Sequence, residues 1–456
     1  MKLQSIQILR GIAALLVVLY HIRAQEVLAI GGNGLAEMPF LNGFVNNGFA
    51  GVDLFFVISG FIMVVVTEGD KAGVRTAADF LFGRLTRIYP IWWFFAGIMT
   101  LYLVGFHGTI GVGERWQSFL HSEAFAPYLL KSFLLLPQKD DPVLGVGWTL
   151  VHEVYFYLVF TLILLAKRSW LPLFLLAWGL LVIGGWSLGL SGPRPVDIPA
   201  LVFFPMTMEF IMGAATGMLV CSGLAWRAGT ITLLAVVALG ASLCIQGEIT
   251  THTLQWGRVM LYGFPSAALI YGVVMLERTR RLSWLVPAAV LFLVTLLVYQ
   301  LYGTGDDTPF PLRLGGTIVA SSVGVLAMLA TFWAGWYGGQ TYPDAIRAII
   351  PSLSRIRRAF VRLGDASYSL YLSHTLFIVA MRIAFNALGQ IEPLAPLFSL
   401  GNPGLLDNVI FVAVCLAVSI TGSLLSYRFI ERPMTHGFRH LRSRLFDQPG
   451  PRAGAP

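Results

Sequence analysis

Apolar runs of about twenty residues recur along the chain, and they constrain its fold more than any other feature. A helix needs about twenty apolar residues to cross the hydrocarbon core, where every backbone polar group must be paired within the segment. The 456 residues are 56% hydrophobic and only 12% charged, which is typical of a membrane protein. A sliding window of about twenty residues predicts about twelve spans, at approximately residues 6–28, 46–66, 88–106, 148–166, 170–190, 199–221, 229–246, 257–276, 283–302, 314–337, 366–388 and 405–428. We therefore predict an all-α fold, a polytopic helical bundle integral to the membrane.

The segments between these spans alternate in their content of basic residues. Of the 31 Lys and Arg residues, roughly 23 fall on one side of the membrane and roughly 8 on the other, which by the positive-inside rule places both termini in the cytoplasm. The net charge of +8 is then a signal of topology. No interleaving of basic and aromatic residues suggests a nucleic-acid partner.

The cysteines and the two ends of the chain give no sign of a disulfide framework, a metal site or a cleaved signal peptide. Cys221, Cys244 and Cys415 all fall inside apolar runs, where they behave as small hydrophobic residues, so we expect neither a disulfide framework nor a metal site. The first apolar run lacks a small-x-small cleavage site, and we expect it to be retained. Residues 434–456 are polar and Arg-rich and are expected to be a disordered cytoplasmic tail, which leaves residues 1–433 as one transmembrane domain.

The first span, "ILRGIAALLVVLYHI", carries two ionisable residues, Arg10 and His21. An ionisable group at bilayer depth costs several kcal/mol, so each is a candidate functional residue. Eleven residues of α-helix bring the two side chains to within about 20° of one face, with about 16 Å of rise between them. We predict that they line one polar stripe.

Two further arginines stand at the start of the third span, in "RLTRIYPIWW". Arg84 and Arg87 share a helix face, and two guanidinium groups presented together suit a phosphate or pyrophosphate. Anchoring of the helix by the positive-inside rule, with side chains that reach the interface, is an equally good reading of the pair alone. Arg10 at the same side of the membrane favours an anion site.

A carboxylate enters the span that begins at Trp148, in "WTLVHEVYFY". A carboxylate such as that of Glu153 has a large free-energy cost at this depth unless it is paired. Tyr157 lies one turn further along the same face of the helix. Glu153 and His152 could both lie in the interface region instead, but we predict a functional role for Glu153. His152 more readily fits a position in the interface region, with no role in the chemistry.

Two other segments carry polar residues inside apolar sequence. In "GDASYSLYLSH", Ser367, Tyr371 and His374 recur at helical spacing and form a polar stripe on an apolar helix. Hydrogen bonding between helices explains the serine and the tyrosine without a catalytic role. Asp53 in "GVDLFFVISGFIM" either caps the second span or belongs to the site, and the sequence does not choose between the two.

Seven of these motifs, in order, resemble those of the membrane acyltransferase-3 family. They are Arg10 followed after ten residues by His21, "GVDLFFVISGFIM", Arg84-x-x-Arg87 before "IYP", "WTLxxExxFY", "FPMTMEFIMG", "GDASYSLYLSH" and "RFIERP". The resemblance covers about Met1 to Arg281 and Val361 to Pro433, and within the family the chain is most similar to exopolysaccharide acetylases.

The resemblance implies an integral membrane enzyme that takes an acyl group, usually acetyl, from cytoplasmic acyl-CoA and places it on a sugar hydroxyl of a surface or secreted glycan. It implies the bacterial inner membrane as the location and requires no metal. The family's histidine falls on His21, and its arginines fall on Arg10, Arg84 and Arg87. Partners implied are acyl-CoA, the glycan and the lipid bilayer, with a homo-oligomer or a polysaccharide export machinery as further possibilities.

The chain departs from the family pattern in two places. Family members carry about ten spans, whereas here residues 282–362 intervene and contain two further predicted spans. An even number of added spans preserves the orientation of the later spans, and the pair either lies at the periphery or reshapes the entrance for the acceptor. No extracytoplasmic domain of the SGNH type follows "RFIERP", so a partner that completes transfer, as in some relatives, is not encoded in this segment.

These residues suggest one mechanism. Arg10, Arg84 and Arg87 would hold the phosphates of CoA, and the pantetheine arm would run about 16 Å along the first helix to His21. His21 would act as general base or as a nucleophile that forms an acyl-imidazole, and Glu153 would orient it.

Two alternative functions stay open at the level of sequence. The same residues could acylate a small or lipid-linked acceptor such as a macrolide or glycolipid. About twelve spans with both ends inside is also the layout of many secondary transporters, but the two halves of the chain show no matching pattern of hydropathy of the kind that internal repeats leave.

Overall fold

The computed structural model describes residues 3–32, 34–35, 45–105, 119–192, 194–244, 255–279, 355–398 and 405–446, together with residues 292, 293, 296 and 400. Within these residues the chain is helical and contains no strand. The longer helices are α1 (Gln4–Gly32), α2 (Ala50–Val66), α3 (Val74–Gly105), α4 (Phe125–Leu134), α5 (Trp148–Ile163), α6 (Leu171–Ser187), α7 (Thr207–Cys221), α8 (Ala228–Cys244), α9 (Phe264–Arg278), α10 (Ser367–Gly389), α11 (Leu405–Ser426) and α12 (Arg432–Phe446). Shorter elements are helices at Ile198–Val202, Gln255–Arg258 and Ala395–Phe398, 3-10 helices at Gly145–Gly147 and Arg168–Trp170, and two π-helical turns, Val259–Gly263 and Tyr427–Glu431.

The predicted class is confirmed, because eight of the described helical stretches are long and apolar enough to cross a membrane. Two shorter apolar helices, Ala50–Val66 and Ala228–Leu243, coincide with the other predicted spans that fall on described residues. The two spans predicted at 283–302 and 314–337, and nearly all of the 282–362 insertion, lie outside the described residues.

Helices α2 and α7 cross at glycines, and this contact builds the centre of the bundle. A Cβ atom on Gly60 of α2 would collide with the carbonyl oxygen of Phe210, and one on Gly213 of α7 would collide with the carbonyl oxygen of Val57. Small residues let two helix backbones approach closely, and helix association in lipid depends on such packing. The glycines of "GVDLFFVISGFIM" and "FPMTMEFIMG" therefore position two of the motifs against each other.

We expect Gly213→Ala to destabilise the bundle by about 1–3 kcal/mol, because the methyl group has no room and the two backbones must separate. The midpoint of thermal unfolding in detergent measures the loss. Gly97→Ala is the matched control, since Gly97 lies inside α3 with no atom within 4 Å of its Cβ position. Equal unfolding midpoints for the two variants would contradict the close approach of α2 and α7.

The N-terminus of α1 is held by a carboxylate from α9. The two oxygens of Glu277 accept hydrogen bonds from the backbone N–H groups of Gln4 and Ser5, at 2.9 Å each, and from the Ser5 hydroxyl at 2.5 Å. The first N–H groups of a helix have no partner within the helix and favour a negative charge. Glu277 therefore fixes the start of the helix that carries Arg10 and His21.

Helices α1 and α10 run parallel and in contact. His21 lies beside His374, and further along both helices the Arg382 guanidinium donates a hydrogen bond to the side-chain oxygen of Gln25 at 2.6 Å. The N-terminal halves of α1 and α10 consequently lie on the same side of the bundle, and so do their C-terminal halves. This arrangement brings the stripe predicted on α1 against the stripe predicted on α10.

The prediction of a disordered tail is wrong for residues 434–446. They belong to α12, in which Arg442 pairs with Asp79 of α3 through two hydrogen bonds of 2.5 and 2.7 Å. The ring of Phe446 also lies 5.9 Å from that of Phe82. Composition suggested disorder because the segment is rich in charge, but Arg442 pairs with α3 and Phe446 packs on it. Residues 447–456 lie outside the described part.

Candidate active site

A first cavity of about 70 Å³ lies among the N-terminal halves of α1 and α10 and parts of α2, α3 and α5. It gathers most of the residues that the sequence singled out, although they are far apart along the chain. Its polar lining consists of Arg10, Ser59, Arg84, Arg87, Thr149, Glu153, Tyr157, Ser367, Tyr368 and Tyr371.

Three guanidinium groups meet in this cavity without a carboxylate partner. Among the described residues no ion pair joins Arg10, Arg84 or Arg87 to an acidic side chain; Arg10 contacts only the Gln7 side-chain oxygen, at 3.4 Å. Arg84 instead lies over the rings of Phe80 and Tyr157, 5.3 and 5.8 Å from their centroids. Glu153 and Glu431 lie near enough to Arg10 to offset part of this positive charge, but three guanidinium groups against two carboxylates leave a positive excess that favours an anion.

The two carboxylates closest to the arginines are held by hydroxyl groups. Glu153 accepts hydrogen bonds from Tyr157 at 2.5 Å and from Ser59 at 3.1 Å. Glu431, from the "RFIERP" motif, accepts hydrogen bonds from the Ser369 hydroxyl at 2.6 Å and from the Ser369 backbone N–H at 3.1 Å. Among the described residues neither acid accepts a hydrogen bond from these arginines, so the guanidinium N–H groups remain available to a ligand.

A second and larger cavity, of about 340 Å³, lies further along α1 and α10. Aromatic rings and polar side chains share its wall. The aromatic and polar residues are Tyr20, His21, Phe49, Gln138, Lys139, Asp140, Asp141, Trp148, Arg194, Phe204, Gln255, Arg258, Tyr371 and Thr375. His21 and Trp148 therefore open onto a different space from the three arginines.

His21 and His374 form a hydrogen-bonded pair whose proton positions follow from the acceptors around them. His374 Nδ1 lies 3.1 Å from the Leu370 carbonyl oxygen, which can only accept, so Nδ1 carries the proton and Nε2 has the lone pair. His21 Nδ1 lies 2.8 Å from the Val17 carbonyl oxygen and 3.3 Å from His374 Nε2, so it donates. The lone pair of neutral His21 is then on Nε2. This nitrogen is the base that the ring offers.

Glu153 does not contact His21 in this structure. Its hydrogen bonds run to Ser59 and Tyr157 in the first cavity, whereas the ring of His21 lies in the second and contacts His374. The contact that we predicted between Glu153 and His21 is therefore made by His374. The sequence placed His374 on the correct stripe but did not identify its partner.

Asp53 belongs to a buried ion pair that the sequence analysis missed. Arg258 donates two hydrogen bonds to its carboxylate, at 2.6 and 3.1 Å, and the two side chains are 3% and 0% exposed. Glu209 lies beside the pair, and Phe49 lies under the guanidinium at 4.7 Å. Asp53 thus pairs across helices and forms no helix cap. Arg258 and Glu209 both fall inside predicted spans, a signal that should have marked them.

We expect Asp53→Ala to destabilise the protein by about 3–5 kcal/mol, because it leaves a buried guanidinium uncompensated. Thermal unfolding of the purified variant in detergent measures this. The double variant Asp53→Leu with Arg258→Met removes both charges and is expected to recover most of the loss. A double variant as unstable as the single one would show that the volume of Asp53 matters and its charge does not.

The remaining predicted residues take different positions. Trp148 lines the second cavity, with its ring edge-on to that of Phe56. Ser367 is buried at the first cavity, and its hydroxyl has no hydrogen-bond partner among the described residues. His152 lines neither cavity and packs between aromatic rings, 4.7 Å from that of Phe204. The described part of the chain contains no cluster of three His, Cys, Asp or Glu residues that could hold a metal ion.

Comparison with known proteins gives consistent matches. A family model described as "Acyltransferase domain" matches residues 3–428. The exopolysaccharide production protein ExoZ of Rhizobium meliloti is 28% identical over 400 residues, which are 85% of this chain and 89% of that protein. The peptidoglycan O-acetyltransferase OatA of Listeria monocytogenes is 26% identical over 181 residues, 36% of this chain and 25% of that protein. No solved structure matches.

Proposed function

This chain belongs to the acyltransferase-3 family, and from that membership we propose that it transfers an acetyl group from acyl-CoA in the cytoplasm to a hydroxyl group of an extracytoplasmic glycan. The observation that carries the proposal is the set of three arginines in one cavity, with no direct ion pair among the described residues, and the base His21 beyond it on the same helix as Arg10. The inner membrane of a bacterium is the location that such a reaction requires.

The donor is proposed to bind through its phosphates. CoA carries a pyrophosphate and a ribose phosphate, and guanidinium groups bind such oxygens in pairs with charge-assisted hydrogen bonds. Arg10, Arg84 and Arg87 supply three such groups, and binding would compensate their buried charge. The aromatic rings that face Arg84 exclude water and strengthen these contacts.

The pantetheine arm would then extend along α1 towards the second cavity. Arg10 and His21 stand about 16 Å apart on one face of the helix. An arm of this length allows the phosphates to stay among the arginines while the thioester reaches His21. No residue needs to carry the acyl group between the two cavities.

His21 is proposed to act as general base through Nε2. It takes the proton of the acceptor hydroxyl as that oxygen attacks the thioester carbonyl carbon, and the CoA thiolate leaves as the ester forms. The Nδ1 proton stays between Val17 and His374, so the ring keeps one orientation while its charge changes. His374 is in this account a positioning residue, because its Nε2 accepts from the imidazolium and stabilises it.

The second cavity is proposed to hold the acceptor. Its mixture of aromatic rings and hydrogen-bonding side chains suits a sugar, which has apolar CH faces and a rim of hydroxyl groups. The name of the Rhizobium meliloti relative concerns exopolysaccharide production. By that similarity we propose an exopolysaccharide as the acceptor for this chain.

Mass spectrometry of the surface glycan tests the acceptor and the reaction together. We expect a strain that lacks this chain to lose O-acetyl groups, seen as a loss of about 42 Da for each acetyl group that is replaced by hydrogen. Complementation with the wild-type chain should restore them. An unchanged glycan with acetyl missing from a lipid or small molecule would indicate the other acceptor class, and loss of export without loss of ester would indicate a transporter.

A further inference from the structure

The two cavities are neighbours, and among the described residues only Val52 and Tyr371 line both of them. Val52 is a short branched side chain in the first turn of α2, with little freedom to move aside. Tyr371 is a large ring that reaches across from α10. The boundary between the two spaces is therefore formed mainly by one phenol side chain.

The hydroxyl group of Tyr371 is held from the side of α5. It lies 2.8 Å from the Thr149 hydroxyl, and it donates to the Val146 carbonyl oxygen at 3.2 Å. The ring meets Phe55 edge-on at 5.8 Å, and only 6% of the residue is exposed. Two buried hydrogen bonds and an aromatic contact thus fix the ring across the passage.

The residues on the two sides of this ring have different chemistry. Tyr368, one turn before it on α10, lines only the first cavity together with the three arginines. Thr375, one turn after it, lines only the second cavity together with His21. Tyr371 therefore stands between the side chains of the arginines and that of His21.

We propose that Tyr371 is a specificity-determining residue that separates the donor cavity from the acceptor cavity and limits the size of the acyl group that reaches His21. The part of this inference that concerns the acyl donor rests on the proposed function. The part that concerns the separation of the two cavities does not. An acetyl thioester needs the narrowest passage, and longer acyl chains meet the ring. While no acceptor is bound, the thioester stays in the first cavity, where the ring keeps water of the second cavity away from it.

Cysteine labelling tests the separation without any donor. Ser367→Cys places a thiol in the first cavity, in a chain whose three native cysteines are replaced by alanine. A small charged methanethiosulfonate is added to vesicles from the side of the second cavity. We expect Tyr371→Phe, which keeps the ring and loses both hydrogen bonds of the hydroxyl, to raise the labelling rate by roughly tenfold, and Tyr371→Ala to raise it further.

Two variants act as matched controls for the labelling. Tyr368 lies on the same helix but lines only the first cavity, and its hydroxyl donates a hydrogen bond to the Ile88 carbonyl oxygen. Tyr368→Phe removes that hydroxyl and should leave the labelling rate unchanged. Thr149→Val removes one of the two hydrogen-bond partners of the Tyr371 hydroxyl and leaves the Val146 carbonyl oxygen, so it should raise the rate less than Tyr371→Phe does. Equal labelling rates in the presence and absence of the Tyr371 ring would overturn the proposal.

Acyl selectivity tests the second half of the proposal. Release of free CoA thiol from acetyl-, butyryl- and hexanoyl-CoA is measured with the purified chain, with and without acceptor. We expect Tyr371→Ala to accept the longer thioesters and to hydrolyse acetyl-CoA without acceptor, with water replacing the sugar hydroxyl. An unchanged preference for acetyl, with unchanged hydrolysis, would contradict the role in specificity.

The two experiments separate failure of this inference from failure of the proposed function. If the wild-type chain cleaves no CoA thioester, acyl-CoA is not the donor and the proposed function fails. A labelling rate that still depends on Tyr371 would nevertheless support the barrier. Normal acetyl transfer combined with labelling that ignores Tyr371 would leave the proposed function intact and remove the barrier.

Discussion

We expect His21→Ala to lower acyl transfer by about 10²- to 10⁴-fold, the range that general acid–base catalysis contributes. The substitution removes the Nε2 lone pair that His21 offers at the second cavity, on the same helix as Arg10. Alanine suits a helix, so the protein should still insert and fold. Formation of labelled glycan ester from labelled acetyl-CoA measures the loss.

A second buried histidine offers a matched control for this prediction. His152→Phe keeps an aromatic ring among Phe56, Phe156 and Phe204. It removes Nε2, which has no hydrogen-bond partner among the described residues, and Nδ1, which bonds the Trp148 carbonyl oxygen one turn earlier in the same helix. We expect it to retain transfer at close to the wild-type rate. Retained transfer in His21→Ala would remove His21 from the mechanism.

We expect Arg84→Lys and Arg87→Lys each to weaken binding of a non-hydrolysable acyl-CoA analogue by about tenfold to hundredfold. Lysine keeps the positive charge but loses the planar fork that holds a phosphate at two points. The loss of one charge-assisted hydrogen bond or two, at about 1.5–3 kcal/mol each, accounts for the range. Calorimetry of the purified variants at fixed salt measures the affinity.

Arg428→Lys controls for the general effect of an arginine on topology and stability. Arg428 lies in the π-helical turn that precedes α12 and lines neither cavity. A helix anchor needs only positive charge, which lysine supplies equally well. Unchanged affinity in Arg84→Lys and Arg87→Lys, as in the control, would assign these arginines to anchoring and remove them from the donor site.

Much of the fold could be predicted because hydropathy is a local property of the chain. Each predicted span on described residues coincides with a helix, and the ends differ mainly where a helix continues beyond the lipid, as α3 does before residue 88. The tail was judged wrongly because α12 is stabilised by Asp79, more than three hundred residues away. Composition carries no information about such a partner.

The sequence by itself determined that the chain spans a membrane and which polar residues stand out, because every charge in an apolar segment has a cost that is visible one residue at a time. It also placed Arg10 and His21 on one stripe, since helical geometry links residues eleven apart. Family resemblance added the expected chemistry, and the matched family model confirmed the membership.

Only the tertiary structure decided which of these residues meet. It paired His21 with His374 and Asp53 with Arg258, and it placed Glu153 with the arginines in a cavity separated from His21 by Tyr371. Such pairs depend on how each helix is rotated about its axis and where it crosses its neighbours. Packing at small residues, such as the glycines of α2 and α7, determines both the rotation and the crossing point of a helix. The helices that pack in this way can be far apart along the chain, so the sequence does not show which of them are neighbours in space.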